Sequence, residues 1–495
     1  MFLEGLQLVF TLTNFGMMIM GLVIGLSFGA IPGLTFITGI ILVLPLTFGI
    51  EPVAAISLLL GIYCGGMTGG SVASVLLGIP GTPSAAATVL DGYELNKQGQ
   101  PGKALGMSLF ASVFGGLFSL LVLAGVAPLI ARVAVRFGPV ELFALVVLGF
   151  STICRVSEKN LVKGLIAGCI GLTLTTIGLD PIAGQPRFVF NSYELMNGIG
   201  IMPVLIGIFA IPEIINAFSS TKKEENYGER NYDPNVKMEL PNWAEIKMCF
   251  PAMWKSAIIG TIIGAIPGTS GPIACFLGYD QAKRSSKHPE LFGKGALEGV
   301  AAPESANNAV SGGVMIPLMT LGIPGDSASA IILGAFLIHG LTPGPLLFRE
   351  NGNLVYAILI SLFIINILML IIHYFGIRLF IRLFNISKLK LSAAIMTLCV
   401  IGAFAPTLNY FDVYVMLFAG MLGFVLNKFG FPTTPLLLGT VLGGIIEENF
   451  VRSLIMSKGD YSIFVTRPIS LCVFLATFLI LFGNSLKKTI LGRKQ

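Results

Sequence analysis

The chain has 495 residues, 54% of them apolar and only 11% charged, and its mean hydropathy is +0.86. A soluble domain carries roughly a quarter charged residues, so the composition excludes one. The net charge is +6, but in a membrane protein the positions of the basic residues, which mark cytoplasmic loops, matter more than their sum, so a nucleic-acid partner is a poor reading; seven scattered cysteines with no Cys-x-x-Cys pair indicate neither a disulfide framework nor a zinc site.

Uncharged apolar stretches recur at, for example, 107–130, 354–372 and 468–486, each long enough to cross a hydrocarbon core. They predict an all-α polytopic membrane protein with about ten to twelve membrane segments. The short alternating segments of a membrane β-barrel are absent. No Lys or Arg precedes Lys97, so the N-terminus lacks the basic region of a cleaved signal peptide and the first apolar run is expected to stay in the membrane.

In chain order, the first half runs through Ala30-Ile-Pro-Gly33, with Thr35 and Thr38 close behind, to Gly78-Ile-Pro-Gly81, followed by Thr82 and Ser84. Asp91 and Glu94 then stand with Lys97 and Lys103 at an apparent membrane exit, which reads as a solvated loop. Arg155, Lys159 and Lys163 mark an internal loop. Arg187 falls on the outer side, against the charge rule, and suits either an anionic substrate, a docking partner or an ion pair with Asp180. The polar stretch 219–248 divides the chain into a first membrane repeat (1–218), a cytoplasmic linker, a second repeat (249–467) and a C-terminal helix with a basic tail (468–495).

The division rests on internal similarity. Ala30-Ile-Pro-Gly33 recurs as Ala265-Ile-Pro-Gly268, and Gly78-Ile-Pro-Gly81 recurs as Gly322-Ile-Pro-Gly325. Pro203-Val-Leu-Ile-Gly207 is echoed by Pro435-Leu-Leu-Leu-Gly439, with Glu213 and Glu447 following. Offsets of 235, 244 and 232 in one order indicate a duplication, a feature of secondary transporters. The basic clusters, including Arg378, Arg382, Lys388 and Lys390 in the second half, fit inverted repeats plus one returning helix. Two parallel repeats of six spans are the competing arrangement.

The four Pro-Gly elements are expected to break helices, since Pro removes a backbone donor and Gly removes the side chain. At membrane depth such breaks are tolerated where a polar cavity satisfies the freed groups. Hydroxyl and amide residues surround them: Thr269 and Ser270 at the third, Asn307, Asn308, Ser311 and Ser327 near the fourth. Such groups ligate Na⁺ or donate to a carboxylate, and half-helix N-termini favour an anion. Small residues that merely allow close helix packing are the plainer reading of any single position. Glu304 and Asp326 are candidates for a coupling cation or proton, because charge at this depth is costly; Glu304 equally suits a helix N-terminus. Glu447 and Glu448 end an apolar run and read as interfacial. With no Gly-x4-Gly-Lys-[Ser/Thr] element, ATP hydrolysis within the chain is set aside, and an intramembrane hydrolase built from Glu304, Asp326 and His339 lacks a recognisable metal spacing.

Gly61-Ile-Tyr-Cys-Gly-Gly-Met-Thr-Gly-Gly-Ser71, Pro80-Gly-Thr-Pro-Ser84 with Asp91-Gly-Tyr93, Ala302-Pro-Glu-Ser-Ala-Asn-Asn-Ala309, Leu321-Gly-Ile-Pro-Gly325 and Pro343-Gly-Pro345 together resemble the large permease subunit of the tripartite tricarboxylate transporters, over nearly the full chain. The resemblance implies a multi-pass protein of the bacterial cytoplasmic (inner) membrane that works with a small four-helix membrane subunit and an extracytoplasmic carboxylate-binding protein. It implies secondary uptake of a tricarboxylate or related organic acid, driven by a Na⁺ or H⁺ gradient, with no other cofactor and no enzymatic activity. A carboxylate channel or exporter that needs no binding protein is the alternative. Carried over residue by residue, the resemblance implies that Gly33, Thr35, Gly81, Thr82, Ser84, Gly268, Thr269, Ser270, Asn307, Asn308, Gly325 and Ser327 line the substrate site, with Glu304 and Asp326 at the coupling ion. The chain departs from the family pattern at Gly78, where Asn is common, at Glu94, where Pro is expected, and at Asp326, where a small neutral residue is usual. A charge at Asp326 would suit a less anionic substrate or a different coupling cation.

Overall fold

The computed structural model describes residues 2–134, 137–156, 161–220, 235–269, 271–385 and 388–491. It is an all-α polytopic membrane protein. The first half comprises α1 (Phe2–Val9), α2 (Leu12–Ala30), α3 (Phe36–Val43), α4 (Pro52–Leu77), α5 (Ala86–Lys97), α6 (Pro101–Ala134), α7 (Pro139–Val156) and α8 (Leu161–Thr175). A two-stranded hairpin follows, β1 (Gly178–Leu179) antiparallel to β2 (Pro186–Arg187), then α9 (Tyr193–Met196) and α10 (Ile201–Ser220). The second half contains α11 (Trp243–Ala265), α12 (Gly271–Ser285), α13 (Leu297–Leu321), α14 (Ser327–Ile338), α15 (Pro345–Glu350), α16 (Gly352–Arg382), α17 (Lys388–Phe404), α18 (Tyr410–Lys428) and α19 (Thr433–Met456). It closes with α20 (Ile463–Thr466) and α21 (Pro468–Leu491).

Among the described residues, six helices are long and apolar enough to span a membrane: α2, α4, α6, α11, α16 and α18. The runs at 107–130 and 354–372 lie inside α6 and α16, which extend well beyond them. Helix α13 is less apolar because it carries Glu304, Asn307 and Asn308, yet nearly all of it is buried. Surrounded by other helices rather than by lipid, it needs no apolar surface of its own.

Each Pro-Gly motif falls in a gap between helices, whereas Pro128, Pro212, Pro251, Pro303 and Pro317 sit inside helices that continue past them. The difference is left-handed backbone, which glycine supplies without steric cost. Gly33 and Gly268 take φ of 87° and 82° after α2 and α11, and Gly78 and Gly322 take 67° and 70° as C-caps of α4 and α13. Asn is the side-chain residue that best tolerates this conformation, so either Gly or Asn at position 78 would form the cap.

Packing is set by glycine stripes. A Cβ at Gly21, Gly25 or Gly29 of α2 would lie 2.2, 2.4 and 2.3 Å from the carbonyl oxygens of Leu58, Ile62 and Gly66 on α4. Helices α11 and α13 meet in the same way, with Gly260 and Gly264 on the carbonyls of Ala306 and Val310. Such small-residue interfaces let membrane helices pack through backbone contact. Helix α6 packs on α13 of the other half and α16 on α4, while α8 packs on α19 and α10 on α18.

Residues 221–234 of the expected linker lie outside the described residues, as does the end of the basic tail at 492–495. Residues 235–242 lie against the start of α6: Val236 and Met238 are buried, and Glu239 N–H donates to the Gly102 carbonyl at 3.0 Å.

Candidate functional site

The residues singled out from the sequence collect in two places, one around the second break and α12, the other around the first break and α14. At the first of these, Thr82 and Ser84 precede α5, with their hydroxyls 3.3 Å apart. Across from them, α12 begins at Gly271, where a Cβ would lie 3.0 Å from the Ser84 Cβ and 3.3 Å from the Asn307 Oδ1. Asn307 is fully buried on α13; its Nδ2 donates to the Met67 carbonyl at 3.1 Å and its Oδ1 has no partner among the described residues. Gly81 brings the loop onto the helix pair behind, its N–H donating to the Gly70 carbonyl at 3.3 Å. The arrangement therefore offers two hydroxyls, one vacant acceptor and the start of a 15-residue helix with no acidic residue in its first turn. That helix end carries a partial positive charge suited to an anion.

Asn308 turns away from this group and accepts from Thr68 at 3.0 Å. Glu304 stands one turn earlier on α13, completely buried, with Oε1 accepting from Thr88 at 2.5 Å and Oε2 from Ser112 at 3.0 Å. It is the eighth residue of α13, so the helix-N-terminus reading does not apply. Ser270 lies outside the described residues.

The second group is differently filled. Asp326 is the N-cap of α14 in a reciprocal capping box with Ser329, and its other oxygen accepts from Tyr63 at 2.8 Å. Tyr63 packs edge-on against Phe36 at the start of α3, with ring centroids 5.5 Å apart. The positive end of α14 is thus already met by a carboxylate of its own chain. Ser327 hydrogen-bonds Thr434 at 2.8 Å. Gly268 and Gly325 join the third and fourth breaks through one backbone hydrogen bond of 2.8 Å. Thr269 hydrogen-bonds the Ile263 and Ile266 carbonyls at the end of α11, which takes its hydroxyl out of either group.

Gly33 and Thr35 line a cavity of about 380 Å³ that sequence reasoning did not anticipate. Its polar wall comes from Glu213, Asn216, Ser392, Asn427 and Thr433. Glu213 Oε2 accepts from Thr38, whose hydroxyl is 3.3 Å from that of Thr35. The sequence did carry a signal: Glu213 is an acidic residue directly after Pro212 in an otherwise apolar helix.

The structure also places the other charged positions. Asp91 is not in a solvated loop; it is fully buried on α5, and its Oδ1 accepts from the N–H groups of Gly293, Gly295 and Ala296 at 2.8 Å each. Its Oδ2 accepts from Tyr279 at 2.8 Å. Lys97 and Lys103 pair instead with Glu94 and Glu245, both at 2.6 Å. Arg187 bridges Asp180, at 3.2 Å, and Glu447, tying the β-hairpin to α19. The backbone N–H groups of Ala183 and Ile182, with Arg187 beside them, hold the Asp180 carboxyl below its ordinary value. His339 hydrogen-bonds Thr47 at 3.2 Å and stands at the far end of α14 from Asp326, about 20 Å away at 1.5 Å per residue, so Glu304, Asp326 and His339 form no constellation.

The model of the tripartite tricarboxylate transporter TctA family matches residues 15–438. The chain belongs to this family. Members of the TctA family are the large membrane subunits of tripartite transporters, which also comprise a small membrane subunit and a binding protein; it is a transporter family and not an enzyme family. An uncharacterised 52.8 kDa protein of the TAR-I ttuC' 3' region of Agrobacterium vitis is 38% identical over 469 residues, covering 94% of this chain and 92% of that protein. A second uncharacterised protein, of the TAR-II ttuC' 3' region of the same organism, is 42% identical over 225 residues, covering 44% of this chain and 93% of its own length. No solved structure matches the chain.

Proposed function

We propose that this TctA-family chain is the permease of a binding-protein-dependent secondary importer of an organic acid in the bacterial inner membrane. A loaded extracytoplasmic protein docks outside, a small four-helix subunit completes the membrane complex, and the carboxylate passes to the group formed by Thr82, Ser84, Asn307 and the start of α12. The observation that carries this reading is the contrast between the two helix starts. Asp326 occupies that of α14, while α12, described from Gly271 onward, faces hydroxyls and an amide oxygen without a partner among the described residues, with no acidic residue in its first turn. An anion gains from such a positive helix end without a buried Arg or Lys. The vacant Asn307 oxygen suits a cation held beside the carboxylate, which would offset repulsion among its charges.

Transport by alternating access then needs a Na⁺ or H⁺ gradient. Of the two coupling-ion candidates, Asp326 has one oxygen on Ser329 and the other on Tyr63, which supports a capping role. Glu304, one turn from Asn307, remains the candidate closest to the substrate. The internal duplication is part of the proposal, supported by the repeated left-handed glycines and by the reciprocal packing of α6 on α13 and α16 on α4. The basic residues then place the linker and tail in the cytoplasm and invert the repeats.

Asn307→Leu fills the space before α12 and removes both amide functions. Uptake in vesicles holding all three subunits is expected to fall at least about a hundredfold, the scale of two lost buried hydrogen-bonding groups, with membrane insertion unchanged. Uptake at the wild-type rate would remove Asn307 from the site.

A further inference from the structure

The cavity beside the first break contains a carboxylate for which the importer reading has no use. Glu213 Oε2 accepts from Thr38, and Oε1 is buried with no partner among the described residues. Around it stand the oxygen-bearing side chains of Thr35, Asn216, Ser392, Asn427 and Thr433, and among the described residues no Lys, Arg or His lines the space. The titratable side chain facing Glu213 from a packed helix is Cys399 on α17; α3, α18 and α19 bring only neutral groups to the cavity among the described residues.

Three physical points converge on a ligand of positive charge. A carboxylate with one oxygen unpaired and no basic neighbour is costly away from water. The remaining donors are all hard oxygens, the set that suits an alkali cation and not a soft metal. Pro212 also deprives the Ile208 carbonyl of its helical donor within the same wall.

We infer that this cavity binds a monovalent cation, Na⁺ or a proton, on the Glu213 carboxylate. Glu213 lies seven residues before the end of α10, and Asn427 and Thr433 lie at the end of α18 and the start of α19. By the distribution of Lys and Arg these helix ends are cytoplasmic, so the cavity releases its cation inward. The use of that cation to drive uptake rests on the importer reading; its binding does not.

The test follows thermal unfolding of the full-length chain in detergent at constant ionic strength, with Na⁺ exchanged for choline and, separately, with pH varied at fixed Na⁺. The wild-type midpoint is expected to rise with Na⁺ if Na⁺ is the ligand, or with acidification if the proton is, and Glu213→Gln is expected to abolish the dependence. In vesicles with all three subunits, Glu213→Gln should cut gradient-driven uptake by about tenfold or more, within the usual range of coupling between two sites, while substrate counterflow persists. Thr38→Val keeps the carboxylate and the shape, and should raise the cation concentration needed for half the effect by several-fold. It supplies the reading if Glu213→Gln does not fold. A cation-dependent midpoint lost in Glu213→Gln from a chain that takes up nothing would uphold the cation site and overturn the importer. Gradient-driven uptake and a cation-dependent midpoint that both survive Glu213→Gln and Thr38→Val, or that are lost only in Glu304→Gln, would overturn the cation site and leave the importer standing.

Discussion

Asp91 shows how far a single residue can depart from its sequence neighbourhood. Flanked by Gly92, Glu94 and Lys97, it has the composition of an exit loop, yet three backbone N–H groups from 293–296, remote in sequence, converge on one of its oxygens. No local pattern announces an acceptor whose donors lie about two hundred residues away. Asp91→Ala leaves three N–H groups and the Tyr279 hydroxyl without their acceptor, and is expected to cost about 3 kcal/mol or more; a lowered unfolding midpoint in detergent is the check. Asp326 offers the opposite test. As a cap, Asp326→Asn should keep stability within about 0.5 kcal/mol and retain cation-driven uptake, while Asp326→Ala should lose about 1 kcal/mol. Loss of cation dependence in Asp326→Asn at unchanged stability would restore Asp326 as a coupling residue.

At the scale of elements, the positions of all four helix breaks were legible because Pro-Gly combines a missing donor with access to left-handed backbone. Proline alone does not end a helix here: Pro212 and Pro303 remain helical where no glycine follows. What the sequence could not display was which helix start already holds a carboxylate of the chain. Thr82, Asp326 and Thr35 look alike as small polar residues after a break, and only the approach of Tyr63 to Asp326, and of Asn307 to Gly271, separates them. The glycine stripes give a direct test of packing. Gly25→Val drives a side chain into the Ile62 carbonyl, 2.4 Å from the Cβ position, and should prevent recovery of monodisperse protein, whereas Gly16→Ala on the same helix meets nothing within 4 Å and should be silent. Equal recovery of the two variants would mean that α2 and α4 do not pack through these carbonyls.

For the whole molecule, composition established the membrane class, and repeated motifs pointed to a transporter before any family was named. The cavity at Glu213 escaped because its walls come from α3, α10, α17, α18 and α19, elements spread over most of the chain and brought together only by folding. Glu213 stands at that cavity, whereas Glu447 is held in an ion pair with Arg187. The decisive measurement is uptake of labelled carboxylates into vesicles containing this chain, with and without the small subunit and the loaded binding protein, under imposed Na⁺ or H⁺ gradients. Uptake that requires both partners and one of the gradients is the expected result; uptake by the chain alone, or without any gradient, would contradict a tripartite secondary importer.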